Sequence, residues 1–138
     1  MTRLLALGNE LLADDAFAVR VAGEVGRIYG DKLDVVTVSL SGNQLIDYVV
    51  DVDRLLVIRA VITGAPPGTL HEFQDKGLLN AISTARQLGL KVPSEVTVLA
   101  VEAADLLTLG GPMHPAVEAA IPQAVEILSA AILRVPPR

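Results

Sequence analysis

At 138 residues the chain has the length of one domain, and with 51% hydrophobic and 20% charged residues it is rich enough to bury a core, which excludes intrinsic disorder. Aromatic residues make up 3% and Trp is absent, so the core must rest on 18 Ala, 18 Val and 21 Leu. Eleven basic and 16 acidic residues leave a net charge of −5, a balance that argues against nucleic acid, and the absence of Cys excludes disulfides, thiolate nucleophiles and Cys-based metal sites.

Taken in chain order, short β-rich runs alternate with helical patterns. Arg3–Leu7 is an apolar strand ending at Gly8-Asn9. Ala16–Tyr29 follows as an amphipathic helix, with Phe17, Val21, Val25 and Ile28 on one face and Arg20, Glu24 and Arg27 opposite. Asp14 or Asp15 is expected to cap its start and Gly30 to end it. Asp34–Ser39 reads as a second strand, and Ser41 as the cap of a helix over about Asn43–Val50. Leu55–Val61 is nearly all apolar and is expected to be buried on both faces, with Arg59 interrupting it. The turn Ala65-Pro66-Pro67-Gly68 leads to a short strand at Thr69–Phe73, expected to lie antiparallel beside Leu55–Val61 because the link is too short for a crossover helix. A helix at Leu78–Leu88 ending at Gly89, a strand at Val96–Val101 and a helix from Pro115, kinked at Pro122, complete the pattern.

Alternation of this kind predicts a three-layer α/β domain spanning residues 1–138, with a mostly parallel five-stranded sheet, helices on both faces and a loose tail at 135–138. No segment is expected to reach the length of a membrane span, the longest apolar runs being strand-sized and interrupted by charge or Gly, and the N-terminal run is too short for a signal peptide, so a cytoplasmic protein is expected.

In such folds ligands collect at the carboxyl ends of the parallel strands, which directs attention to 8–15, 39–42, 59–63 and 102–111. Glu10, Asp14 and Asp15 place three carboxylates in six residues before a helix, a pattern that serves either to cap the helix or to hold a cation. A dinucleotide site would require Gly-x-Gly-x-x-Gly after the first strand, where this chain has one Gly; a phosphoacceptor domain would require Asp where it has Arg59. Glu102, at a strand end, is either a site residue or a solvated loop acid. His71, in a strand, is expected to face solvent or a neighbouring strand, and His114, before Pro115, to cap the last helix.

Read together, the loops resemble a known family. Gly8-Asn9-Glu10-Leu11-Leu12-Ala13-Asp14-Asp15-Ala16-Phe17-Ala18 is similar to the opening signature of the hydrogenase maturation peptidases, Gly-x-Gly-Asn-x-Leu-x-x-Asp-(Asp/Glu)-Gly-x-Gly. Asp53–Val61 with Pro67-Gly68-Thr69, Val98–Glu102, and Gly111-Pro112-Met113-His114-Pro115-Ala116-Val117 resemble its later motifs in the same order. The resemblance implies the family's α/β fold and its activity, nickel-dependent endoproteolytic removal of a C-terminal extension from the large subunit of nickel–iron hydrogenases. It implies a metal held by three side chains, of which one falls on Asp15. The second falls on Arg59, and the third, a His, falls within 74–83, where there is none. The Gly-Thr after the family's second strand is Ser39-Leu40 here, with Gly42 retained, and the two helix-start glycines are Ala16 and Ala18.

Arg has no lone pair to give a metal. No cofactor is therefore expected for this chain; Asp15 is the single family ligand left, and the site is expected to be degenerate. Asp15, from the resemblance, and Glu102, from its place at a strand's carboxyl end, are then the catalytic candidates, with Gly8, Asn9, Asp14, Gly42 and Arg59 expected to form the cleft. Arg59 is expected to fill the lost metal's place and pair with Asp15. The expected function is the family's processing reaction or, failing that, non-catalytic binding of a hydrogenase-like subunit or a sibling peptidase. A small-molecule-binding α/β domain using the same cleft is the alternative from a different class.

Overall fold

The structure, a computed structural model, describes residues 1–40 and 42–134; the expected cap at Ser41 and the tail at 135–138 lie outside the described residues. Five strands form one sheet: β1 (Thr2–Leu7), β2 (Asp34–Val38), β3 (Arg54–Val61), β4 (Leu70–Glu72) and β5 (Glu95–Glu102), in the order β2-β1-β3-β5-β4. All pairings are parallel except β4 with β5. Helices α1 (Ala16–Tyr29), α2 (Ile46–Val49), α3 (Lys76–Gln87), α4 (Pro115–Ala119) and α5 (Ile121–Leu133) cover the two faces.

Strand alternation sorts the aliphatic residues into two cores. Leu4, Ala6, Leu56, Ile58, Leu99 and Val101 face α1, α4 and α5, where Phe17, Val21, Val25, Val117, Leu128 and Ile132 meet them. Leu5, Leu7, Leu55, Val57 and Val98 face α2 and α3, against Leu45, Val49, Leu78, Ala81 and Ile82. Burying both faces of β3 explains why that strand reads as a continuous apolar run. The expected stripe of α1 holds at Phe17, Val21 and Val25, while Ile28 is exposed at the helix end.

Three expectations are corrected. The antiparallel partner of β4 is β5, not β3: Leu70 pairs with Val101, His71 with Ala100 and Glu72 with Leu99. The link from Ile62 to Thr69 steps over the end of β5, with Gly68 N–H donating to the Glu102 carbonyl and Glu102 N–H to that of Thr69, both at 2.8 Å. Clearing one strand requires about 10 Å, within reach of such a link. At Gly68 itself, φ is +90° and an added Cβ would stand 2.4 Å from the Ala116 carbonyl oxygen, so only Gly fits. The helix expected over 43–50 is a 3₁₀ turn, Gly42–Leu45, running into the short α2. No side chain caps α1, since neither Asp14 nor Asp15 bonds its first turn.

Pro122 acts as anticipated, and the last helix breaks at Ala120 into α4 and α5. Taken as one, Pro115–Leu133 is long and apolar enough to cross a membrane by length and composition, which corrects the expectation that no segment reaches that length. Its apolar stripe, Val117, Ile121, Ala124, Leu128 and Ile132, is spent on the core of this domain. The far end of α5 is held by Arg54, a buried residue of β3, which donates to the carbonyls of Ala131, Ile132 and Arg134 at 2.7–2.9 Å. A guanidinium there satisfies helix-end acceptors and answers the helix dipole.

Candidate functional site

The carboxyl ends of β1, β2 and β3 meet in register, with Leu7 beside Val38 on one side and Arg59 on the other. Above them lies a cleft of about 240 Å³ lined by Leu7, Gly8, Asp15, Ser39, Leu40 and Arg59. Gly8, Asp15 and Arg59 are thus brought together as the sequence suggested. Gly8 is what permits it: a Cβ there would stand 2.4 Å from the Asp15 carbonyl oxygen, so any larger residue would push the start of α1 off the strand.

Asp15 is half-buried. Burial pushes its carboxyl above the ordinary carboxylate range, while the Asn9 backbone N–H and the Arg59 charge pull the other way without restoring it. Asn9 shapes the loop through its side chain, whose Oδ1 accepts from the Leu11 N–H at 2.9 Å. Gly42, with φ +58°, opens the 3₁₀ turn after β2 and lies against the start of α3, where an added Cβ on Gly77 would come 3.4 Å from the Gly42 nitrogen.

Arg59 does not form the expected pair with Asp15. Its Nη1 donates to Oδ2 of Asp75, a buried residue that sequence reasoning did not select. The other oxygen of Asp75 accepts from the Leu78 N–H at 3.1 Å, so the same carboxylate caps α3. A direct charge partner at contact distance outcompetes Asp15, which touches Arg59 only through the field across the cleft. The signal was present in the sequence as an Asp three residues before the first apolar residue of a helix. Asp75 also lies in the segment, 74–83, to which the family resemblance assigns its His.

Asp14 is not a cleft residue. It is fully buried and accepts from the backbone N–H groups of Ala104, Asp105 and His114 at 2.7–2.9 Å. Its carboxylate ties the loop after β1 to the loop after β5, and a backbone bridge between Leu12 and Leu109 continues the junction. His114 caps α4 as expected, its Nδ1 accepting from Ala116 N–H at 3.1 Å.

Glu102 is likewise no solvated loop acid. It is buried, and its two oxygens accept from the Thr63 backbone N–H at 2.6 Å and the Thr63 hydroxyl at 2.5 Å. His71, on the neighbouring β4, sets Nε2 3.5 Å from the same carboxylate. Burial acts to raise the Glu102 carboxyl, but the Thr63 hydroxyl, the Thr63 and Gly64 backbone N–H groups and the His71 charge outweigh it and hold it below its ordinary value. With these bonds Glu102 closes the link between β3 and β4 rather than lining the cleft with Asp15. Thr63 was another residue the sequence reading missed.

The donor set does not fit a divalent cation. Among the described residues no three His, Asp or Glu side chains converge to hold one. Arg59 offers no lone pair, and both oxygens of Asp75 are committed.

Fold and cleft define an open, mostly parallel α/β domain with a cleft beyond the carboxyl ends of its first three parallel strands. The chain belongs to the hydrogenase maturation protease family, whose model it matches over residues 19–131. It is 29% identical to the hydrogenase expression/formation protein HupD of Bradyrhizobium diazoefficiens, covering 90% of this chain and 73% of that one. It is 27% identical to HoxM of Cupriavidus necator, covering 91% and 71%. Among solved structures, the hydrogenase maturating endopeptidase HybD of Escherichia coli superposes with a TM-score of 0.78 at 25% identity, over 96% of this chain and 92% of that one.

Proposed function

We propose that this chain docks a hydrogenase large subunit, or a subunit like it, at the cleft over β1, β2 and β3, and does so without metal-directed cutting. Family membership supports the class of partner. The observation that carries the loss of cutting is the Arg59–Asp75 pair, which puts a guanidinium where the family resemblance assigns a carboxylate ligand. A metal-assisted hydrolase needs an ion to polarise the scissile carbonyl or to activate water, and this donor set offers no place to anchor one. Asp15 remains as a half-buried carboxylate facing the partner, and Gly8, Asn9 and Gly42 shape the approach. Glu102 supports the fold behind the cleft. The cytoplasm is the compartment we assign.

The test is a pull-down combined with intact-mass measurement. Incubated with a nickel-loaded large-subunit precursor, the protein should co-purify with it and leave its mass unchanged. A precursor shortened at its C-terminus, and intact with the heat-inactivated protein, would show that cutting survives.

A further inference from the structure

We propose that the unpaired first half of β5 is a docking slot for an extended segment of a partner polypeptide, which joins the sheet as a strand with an aliphatic residue opposite Val96 and a basic residue opposite Glu95. The slot is separate from the cleft over β1, β2 and β3. β5 runs from Glu95 to Glu102, but β4 pairs only with its Leu99, Ala100 and Val101. One further bond, from Phe73 N–H to the Val98 carbonyl at 3.0 Å, extends that pairing before the chain turns away to the Asp75 cap of α3. At the other end of β5, Glu102 N–H donates to the Thr69 carbonyl on the β4 side, while Ala103 N–H donates to the Val61 carbonyl of β3. Alternation along the strand therefore turns the N–H and C=O of Val96 away from β3 and into the gap. Among the described residues no backbone group fills that gap. A strand edge left open in this way is a template for another extended chain.

A cavity of about 540 Å³ lies along this edge, with Phe73, Leu79, Val96 and Val98 in its lining. Val96 and Val98 face the α3 side of the sheet, where Leu79 of α3 is 47% exposed. A residue opposite Val96 shares that face, so an aliphatic side chain there would cover Leu79. The charges are of one sign. Glu72 and Asp75 line the cavity and no basic residue does, among the described residues. Asp75 is spent on Arg59, whereas Glu72 is exposed and makes no ion pair among the described residues. At the open end of the slot Glu95 gives Oε1 to Arg134, and its Oε2 is buried without a hydrogen-bond partner. A Lys or Arg opposite Glu95 would supply the missing donor as a cross-strand pair. The free stretch, Glu95 to Thr97, is about 10 Å of strand. A second copy's β5 does not suit it. Laid antiparallel about Val96, its Ser94 and Pro93 would fall opposite Val98 and Leu99, where Phe73 and Glu72 already sit.

The probe is a library of random heptapeptides displayed on phage and panned against the immobilised full chain. Enriched peptides should place an aliphatic residue next to a Lys or Arg. A synthetic copy of one should slow hydrogen exchange at the Val96 amide. N-methylation of its aliphatic residue should weaken binding about tenfold or more, a loss that a purely apolar contact would not show. Leu79→Lys puts a cation on the slot wall and should weaken binding by a similar factor. Leu88→Lys, at an exposed position outside the cavity, should leave it unchanged. Both leucines are exposed, so neither change removes core. Failure to enrich any peptide, enrichment of acidic ones, or binding indifferent to Leu79→Lys or to N-methylation overturns the proposal. So does a concentration-dependent dimer in sedimentation that Leu79→Lys abolishes, since a second copy would then hold the slot. No measurement here involves the cleft, so its outcome is independent of the docking reading above.

Discussion

Two carboxylates at the carboxyl rim of the sheet, Asp14 and Asp75, are buried and fully used, yet they are held by different chemistry. Asp14 accepts from three neutral backbone N–H groups roughly a hundred residues away and locks two loops together. Asp75 accepts from one N–H of its own helix and from the Arg59 guanidinium. The first arrangement is a fixed junction, because backbone donors cannot swing away. The second is a charge pair open to the cleft on the Arg59 side. Neighbouring rim positions thus divide into a part that builds the fold and a part that faces a partner.

Removing Asp14 should give the largest loss. Asp14→Ala leaves three buried donors unsatisfied and is expected to cost about 3–5 kcal/mol in urea unfolding, enough to consume much of a small domain's stability. A loss below about 1 kcal/mol would mean that water replaces the carboxylate and that the junction is not fixed. The Arg59–Asp75 pair should come next. A double-mutant cycle with Arg59→Ala and Asp75→Ala is expected to show coupling of about 1–3 kcal/mol, whereas the cycle of Arg59→Ala with Asp15→Ala should stay within about 0.5 kcal/mol. Reversal of that order would restore the pairing with Asp15 that the sequence suggested.

Acid should separate the two remaining carboxylates by sign. Glu102 titrates below its ordinary value of 4.5 in the folded protein, so its contribution is complete above that pH and is lost as pH falls through the depressed value. The fall in stability below about pH 4.5 should accordingly be shallower in Glu102→Gln. Asp15 has the opposite sign. Its folded value lies above 3.8, so its ionised form opposes folding at neutral pH and that penalty disappears in acid. Asp15→Asn should then raise the melting temperature slightly at pH 7 and not at pH 3, while weakening partner binding. A melting temperature that drops at pH 7 would show Asp15 to be a stabilising residue instead. Least affected should be the exposed Arg27–Glu24 pair, whose removal is expected to cost under about 0.5 kcal/mol.

Much of this molecule was legible before any coordinates. Strand-sized apolar runs alternating with helical stripes specify the layers, because burial on one or both faces imposes a period on the side chains. A helix over about Ala16–Tyr29 was legible from periodicity and Gly30, and an interruption of the last helix, which falls at Ala120, followed from the missing N–H of Pro122. The loop motifs carried the family and placed Gly8, Asp15 and Arg59 at one rim.

What only the tertiary structure decided was partnership. Which strand β4 joins depends on the path of a link over the sheet's end, and local pattern does not contain that path. The roles of Asp14, Asp75 and Glu102 depend on donors far away in the chain, since a carboxylate has the same composition whether it caps a helix, ties two loops or lines a cleft. Arg59 shows the limit most directly. Its incompatibility with a metal follows from the chemistry of one side chain, but its choice of Asp75 over Asp15 follows from a contact that forms only when the start of α3 packs beside the end of β3.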